Sequence, residues 1–316
     1  MDTRSMNAVY SARGMKRRYE VWFLRCGLAD ASGAWWFRYL LMNPGSGGCN
    51  ADPSGMPVQV WATLFPRGGK AQTFIQGYPA AALELSPRGR LPFHFRIAES
   101  GMEEGICWGN IRVEGHTISW KLRIQSDFGM VLSNKGWIGF SKSPHSNAAF
   151  SGEIQFDGKN FNGAPLGYGV QGHNCGYRHR TYWRWMHAFF PGVRGKGSTL
   201  EALVYDLPLG LVFRKAIWWH DGQPTILKNF KEIEIERETN RLLWKFAATT
   251  SDGLPLEATI EGLAPEIHQL PYVRTDCSGT FPVSNASLAN AFVRFGKNGS
   301  EILETIGGSV LELGGA

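Results

Sequence analysis

The sequence predicts an all-β protein built from short antiparallel strands. Three observations carry that prediction. Aromatic residues and glycine are abundant together, with 12 Trp, 19 Phe and 9 Tyr beside 39 Gly among 316 residues. Aromatics pack well on pleated faces, and glycine makes turns and bulges. Several segments alternate apolar and polar residues with period two, whereas no convincing helical pattern of ten residues occurs. Turn-forming residues recur at short intervals, so the strands are many and short, as in a barrel or sandwich; closing a barrel removes unpaired edges.

Strand signals start at Tyr19. MEEGICWGNI (102–111) fits either a helix or a strand. TISWKLRIQ (117–125) alternates cleanly, with Ile118, Trp120, Leu122 and Ile124 on one face. KEIEIERETNRLLWKF (231–246) reads as a hairpin with Thr239-Asn240 at its tip, Ile233 and Ile235 on one side, and Leu242, Trp244 and Phe246 resuming the inward face. LEATIEGLA (256–264) and ANAFVRFG (289–296) behave alike. Turn chemistry appears at Asn43-Pro44-Gly45, Pro66-Arg67-Gly68-Gly69, Ser86-Pro87-Arg88-Gly89, Asp157-Gly158, Asp221-Gly222 and Asp252-Gly253. The segment 141–167, rich in Ser, Asn, Gly and Pro, is the expected junction between two β-domains. The length suits two domains of moderate size, taken as 19–176 and 177–316.

Composition narrows the function classes. Hydrophobic residues at 43% and charged residues at 19% fit a folded core rather than disorder. The net charge of +6 is scattered, with MKRRYE (15–20) and YRHRTYWR (177–184) its densest places. That is no continuous basic stripe, so no nucleic-acid partner is expected. Five cysteines, an odd number without CxxC spacing, argue against a disulfide framework or a structural zinc site. A reducing, cytoplasmic location follows as the expectation. The basic N-terminal residues precede no apolar run of the signal-peptide kind, and no stretch is long enough to cross a bilayer as a helix.

GYGVQGHNCGYRHRTYWRWMHAFF (167–190) is the densest polar and aromatic stretch. With the segment 177–190 as a strand, Tyr177, His179, Thr181, Trp183, Trp185, His187 and Phe189 share one face, an aromatic wall with histidines along it. Arg178, Arg180, Tyr182, Arg184, Met186 and Ala188 share the other, suited to solvent, an interdomain seam or an anionic headgroup, the last a peripheral membrane contact. His179 and His187 would stand about 26 Å apart on an extended strand, too far to share a metal ion. No phosphate loop, GxSxG elbow or dinucleotide fingerprint is present, and Cys175 beside His173 lacks the geometry expected of a thiol dyad.

A glycine-rich lead, then His173-Asn174-Cys175-Gly176, then Trp183 and Trp185, resembles the lipocalin-like superfamily of carotenoid 1,2-hydratase and tocopherol cyclase. YEVWFLRCGLADASGAWWFRYLLMNP (19–44) resembles its first hairpin, and CSGTFPVSNASLANAFVRF (277–295) its closing strands. The similarity spans most of the chain from about Tyr19. Cys175 stands where that pattern usually has tryptophan, and Gly172 where relatives often have an acid. The resemblance implies two tandem lipocalin-like antiparallel β-barrels, with an apolar pocket near where they meet. It also implies cofactor-free chemistry on isoprenoid or polyene substrates, by proton donation and cation capture or by pericyclic ring closure. In this reading His173 is the acid, positioned by Asn174, with Glu20 a second candidate donor among Tyr19, Val21, Trp22 and Phe23. Trp183, Trp185, His187, Tyr177, Arg38 and Trp22 line the substrate site, although Arg38 could instead pair with Glu20. The alternative function is a non-catalytic carrier of lipophilic molecules; a third reading is a family member with only an interaction role.

Overall fold

The computed structural model describes residues 4–11, 14–177, 179, 182–192 and 197–315. It is all-β, in two antiparallel sheets that follow one another along the chain. The first sheet holds β1 (Tyr19–Leu28), β2 (Gly33–Met42), β3 (Val58–Pro66), β4 (Gln72–Tyr78), β5 (Leu83–Leu85) and β6 (His94–Ile97). It continues with β7 (Ser100–Glu103), β8 (Ile106–Val113), β9 (His116–Gln125), β10 (Met130–Asn134), β11 (Gly139–Phe156) and β12 (Lys159–Gly176). The second sheet holds β13 (Tyr182–Phe190), β14 (Ser198–Asp206), β15 (Val212–His220), β16 (Gln223–Ile226) and β17 (Lys228–Arg237). Its remaining strands are β18 (Arg241–Thr249), β19 (Pro255–Leu263), β20 (Ile267–Val273), β21 (Thr280–Phe295) and β22 (Glu301–Gly315).

In each sheet the first strand pairs with the last, β1 with β12 and β13 with β22, which curls the meander toward a barrel. On the far side of the first barrel, Arg112 N donates to Gln76 Oε1 at 2.9 Å, tying β8 to β4. Each barrel has a packed interior. Trp22, Leu24, Trp35, Phe37, Tyr39, Trp120 and Phe150 fill the first, and Met186, Ala188, Phe190, Trp244, Phe246 and Ile260 the second. A third apolar layer lies between the barrels, on their outer faces. It joins Val21, Phe23 and Trp36 to Trp185, Leu203, Tyr205 and Val310. This explains why β2 is buried along its whole length: one face meets its own barrel, the other the second barrel.

Several sequence expectations change here. The segment 141–167 is no junction. It forms most of a long hairpin, β11 and β12, whose tip is Asp157-Gly158 with φ of 47° and 82°. The primed-turn signal was present inside the stretch read as a linker. MEEGICWGNI resolves as the β7–β8 hairpin. Ile233 and Ile235 are exposed, because β17 is an edge strand with a bulge between Glu232 and Glu234. Met186 and Ala188 enter the second barrel's core rather than solvent; Arg178, Arg180 and Thr181 lie outside the described residues. Cys49 and Cys277, 228 positions apart, form a disulfide between the β2–β3 and β20–β21 connections. A spacing rule sees only neighbouring cysteines and misses a pair that tertiary contact creates.

Arg25 of β1 fastens the barrels together. Its guanidinium is fully buried and donates to the carbonyls of Ser287 at 2.5 Å and Gly307 at 2.7 Å, with Gly308 at 3.3 Å. These carbonyls are free because β21 and β22 lose register between Ala286 and Ala291. Burial draws the Arg25 pKa down to about 10, so it stays a cation.

Candidate functional site

A cavity of about 720 Å³ lies between the two barrels rather than inside either one. Strand pairing explains its walls. In register, Phe23 faces Arg38 and Val21 faces Leu40, so β1 and β2 turn Val21, Phe23, Trp36 and Arg38 outward on one face. Opposite, Trp183 pairs with Tyr205, and Trp185 with both Leu203 and Glu312. Gly314 is required here. A Cβ at that position would lie 2.1 Å from the Trp183 ring, so only glycine lets the indole lie flat on β22. The end of β12 and the following connection add Asn174, Tyr177 and His179.

Two carboxyls line this cavity, exposed Asp276 and buried Glu312. Glu312 Oε1 accepts from Trp183 Nε1 at 3.0 Å; its Oε2 accepts from Tyr272 Oη and Asn285 Nδ2, both at 3.3 Å. Burial raises its pKa despite those donors and the nearby positive charge of Arg38. Behind Trp185, Glu201 accepts from the indole Nε1 at 2.8 Å, Ser143 Oγ at 2.6 Å and Ser146 Oγ at 3.3 Å. Burial raises Glu201 to about 7. Because the serines belong to the first barrel and Glu201 to the second, this carboxyl joins the two while orienting a cavity tryptophan. His179 stacks on Tyr19 at 4.3 Å; burial, then the Arg38 and Arg274 charges, lowers its pKa to about 3, so it is neutral. Burial pushes the Cys175 thiol up, which disfavours the thiolate a nucleophile needs.

Of the expected site residues, the cavity gathers Asn174, Trp183, Trp185, Tyr177 and Arg38. His173, Glu20, Trp22 and His187 are not among its walls. Neighbours on a strand point to opposite faces, so His173 and Asn174 cannot serve one site. Asn174 turns to the cavity and His173 into the first barrel. There His173 Nδ1 donates to Met6 O at 2.7 Å and Nε2 meets Glu20 Oε1 at 2.8 Å. Glu20 also accepts from Tyr10 N and Ser11 N. Trp22 stacks on His173 at 4.6 Å and donates to Asn7 O. These residues hold the N-terminal segment Met6–Ser11 against the barrel, a structural duty. The catalytic assignments of His173 and Glu20 are therefore corrected, as is the Glu20–Arg38 pair, since the two side chains leave their strands on opposite faces. Gly172 faces Phe23, whose ring would lie 2.1 Å from any Cβ there, which excludes the acid of the family pattern. His187 donates to or accepts from no cavity group; its Nε2 bonds Ser146 O at 2.6 Å at the barrel interface.

Sequence reasoning missed Glu312, Glu201 and Tyr272. In SVLELGG and TLEALVY the glutamates alternate with core residues and look solvent-facing. Only docking of the second barrel buries that face.

No protein-family model matches the chain, and no curated protein matches it in sequence. Solved structures do share its fold. A provisionally assigned AttH from Nitrosomonas europaea superposes with a TM-score of 0.57 at 14% identity, covering 98% of this chain and 97% of that one. CghA, solved with Sch210972, gives 0.60 at 11% identity over 94% and 88%. Kievitone hydratase from Nectria haematococca gives 0.58 at 10% identity over 99% and 94%.

Proposed function

We propose that the chain is a cyclase or hydratase acting without a cofactor on a lipophilic small molecule, isoprenoid or polyene-like in body, bound between the barrels. The observation that carries this reading is Glu312: a buried carboxyl with a raised pKa in a cavity whose walls include Phe23, Trp36, Trp183, Trp185 and Tyr272. The likeness of fold to a structure named as a hydratase supports it further.

The chemistry balances with side chains alone. Protonated Glu312 gives its proton to one carbon of a substrate double bond, whose electron pair forms the new C–H bond. The adjacent carbon becomes a cation, stabilised by the faces of Trp183 and Trp185. Water or a substrate hydroxyl adds to that carbon, and the proton it loses returns to the Glu312 carboxylate. Trp183 and Tyr272 hold the carboxylate in place throughout, and Glu201 fixes Trp185.

The test incubates the protein with an extract of polyene and isoprenoid metabolites, follows products by mass spectrometry, and compares Glu312→Gln. Turnover should fall by about a hundredfold or more while ligand binding stays, the range that general acid catalysis spans. Binding with no turnover by the unaltered protein refutes the enzyme reading in favour of a carrier. Full turnover by Glu312→Gln refutes the proton-donor role and leaves ring closure guided by cavity shape.

A further inference from the structure

Arg38 and Arg25 are both buried guanidiniums on neighbouring strands, yet their surroundings differ in kind. Arg25 is ringed by backbone carbonyls. Arg38, 5% exposed, makes no hydrogen bond or ion pair among the described residues. Its guanidinium carbon sits 4.7 Å from the Trp61 ring centroid and 4.3 Å from that of Tyr272. These rings hold its position but offer no acceptor, and its Nη1 is buried without a partner. Leaving such a group unpaired is costly, so native structures rarely do so without a functional reason.

The same cavity collects other unpartnered polar atoms. Trp36, two residues earlier on the same face, has a buried Nε1–H with no acceptor; Asn174 Oδ1 and His179 Nδ1 also lack partners. Arginine and the indole N–H can only donate, so the atom that completes them must accept, and a guanidinium prefers an acceptor with negative charge. Glu312 does not fill this role: it stands beyond ion-pair distance and already holds three donors.

Resting on the cavity as the ligand site, we infer that the substrate carries an acidic oxygen head group, a carboxylate or its equivalent, received by Arg38 with its apolar body along Phe23, Trp36 and Trp185. The head group then neutralises Arg38 and anchors one end of the chain, which sets the double bond that meets Glu312. His179 Nδ1 can donate to the same head group when it carries the ring proton, whereas Asn174 Oδ1, an acceptor, suits a donor elsewhere on the ligand.

Matched polyene probes test this. All-trans retinoic acid and retinol share a body and differ in the head group, and tryptophan quenching reads their binding. The unaltered protein should bind the acid about tenfold more tightly, the scale of one charge-assisted contact. Arg38→Met should abolish that preference by weakening the acid far more than retinol, and should raise the melting temperature, whereas loss of an arginine with a structural role would lower it. Arg38→Lys, which keeps the charge, should retain part of the preference. Equal affinities in the unaltered protein, or a preference that survives Arg38→Met, overturns the head-group inference alone. Failure of retinol itself to bind overturns the cavity reading and the inference with it.

Discussion

His173→Ala separates a structural histidine from a catalytic one. The change removes the Nδ1–H bond to Met6 O at 2.7 Å and the contact with Glu20 at 2.8 Å. It also removes the ring stacked on Trp22 and edged by Phe140. A buried carbonyl loses its donor and a fully buried carboxylate loses one of three. With a hydrogen bond to a charged group worth about 1.5–3 kcal/mol and a comparable penalty for orphaned groups and the void, the loss is about 3–5 kcal/mol. At about 2–4 °C per kcal/mol for a domain of this size, the melting temperature should drop by about 6–20 °C. Calorimetry reads the drop, and hydrogen exchange should show Met6–Ser11 losing protection first. Below the transition, retinol affinity should stay unchanged, since His173 does not reach the cavity. An unchanged melting temperature together with lost ligand binding or turnover would refute the structural role assigned here.

Two further predictions concern the seam between the barrels. Glu201 has a folded pKa of about 7 against an ordinary 4.5, so the folded state holds its proton more tightly than the unfolded state. Its contribution to stability is then fullest below pH 4.5 and is lost as pH rises toward 7, by up to about 3 kcal/mol. Denaturation across pH 4.5–7.5 should show that slope in the unaltered protein and not in Glu201→Gln; equal slopes would contradict the buried position of this carboxyl. Reducing Cys49–Cys277, or replacing Cys277 with Ser, opens a link closing 228 residues and should cost about 2–4 kcal/mol. A melting temperature indifferent to reductant would show that the link contributes nothing in solution.

How far the site was legible follows from face and distance. Alternation placed Trp183 and Trp185 together on one face, as they stand in the cavity wall. Period two also forbade a shared role for His173 and Asn174, a constraint the family resemblance obscured. Glu312 and Glu201 had no distinguishing signal. Each sits between core residues on its strand, the ordinary pattern of a polar outer face.

Strand content and hairpin tips such as Asp157-Gly158 and Asp221-Gly222 rest on contacts between residues near in sequence, so the amino-acid order alone determined them. Which outer faces meet was decided only by tertiary packing, where Arg25 reaches the β21–β22 carbonyls and Cys49 reaches Cys277. That docking turns outward-pointing Arg38, Trp185 and Glu312 into the walls of one cavity. Burial then changes their chemistry, because a carboxyl or guanidinium removed from water must find a partner, and water supplies one to any that stay exposed.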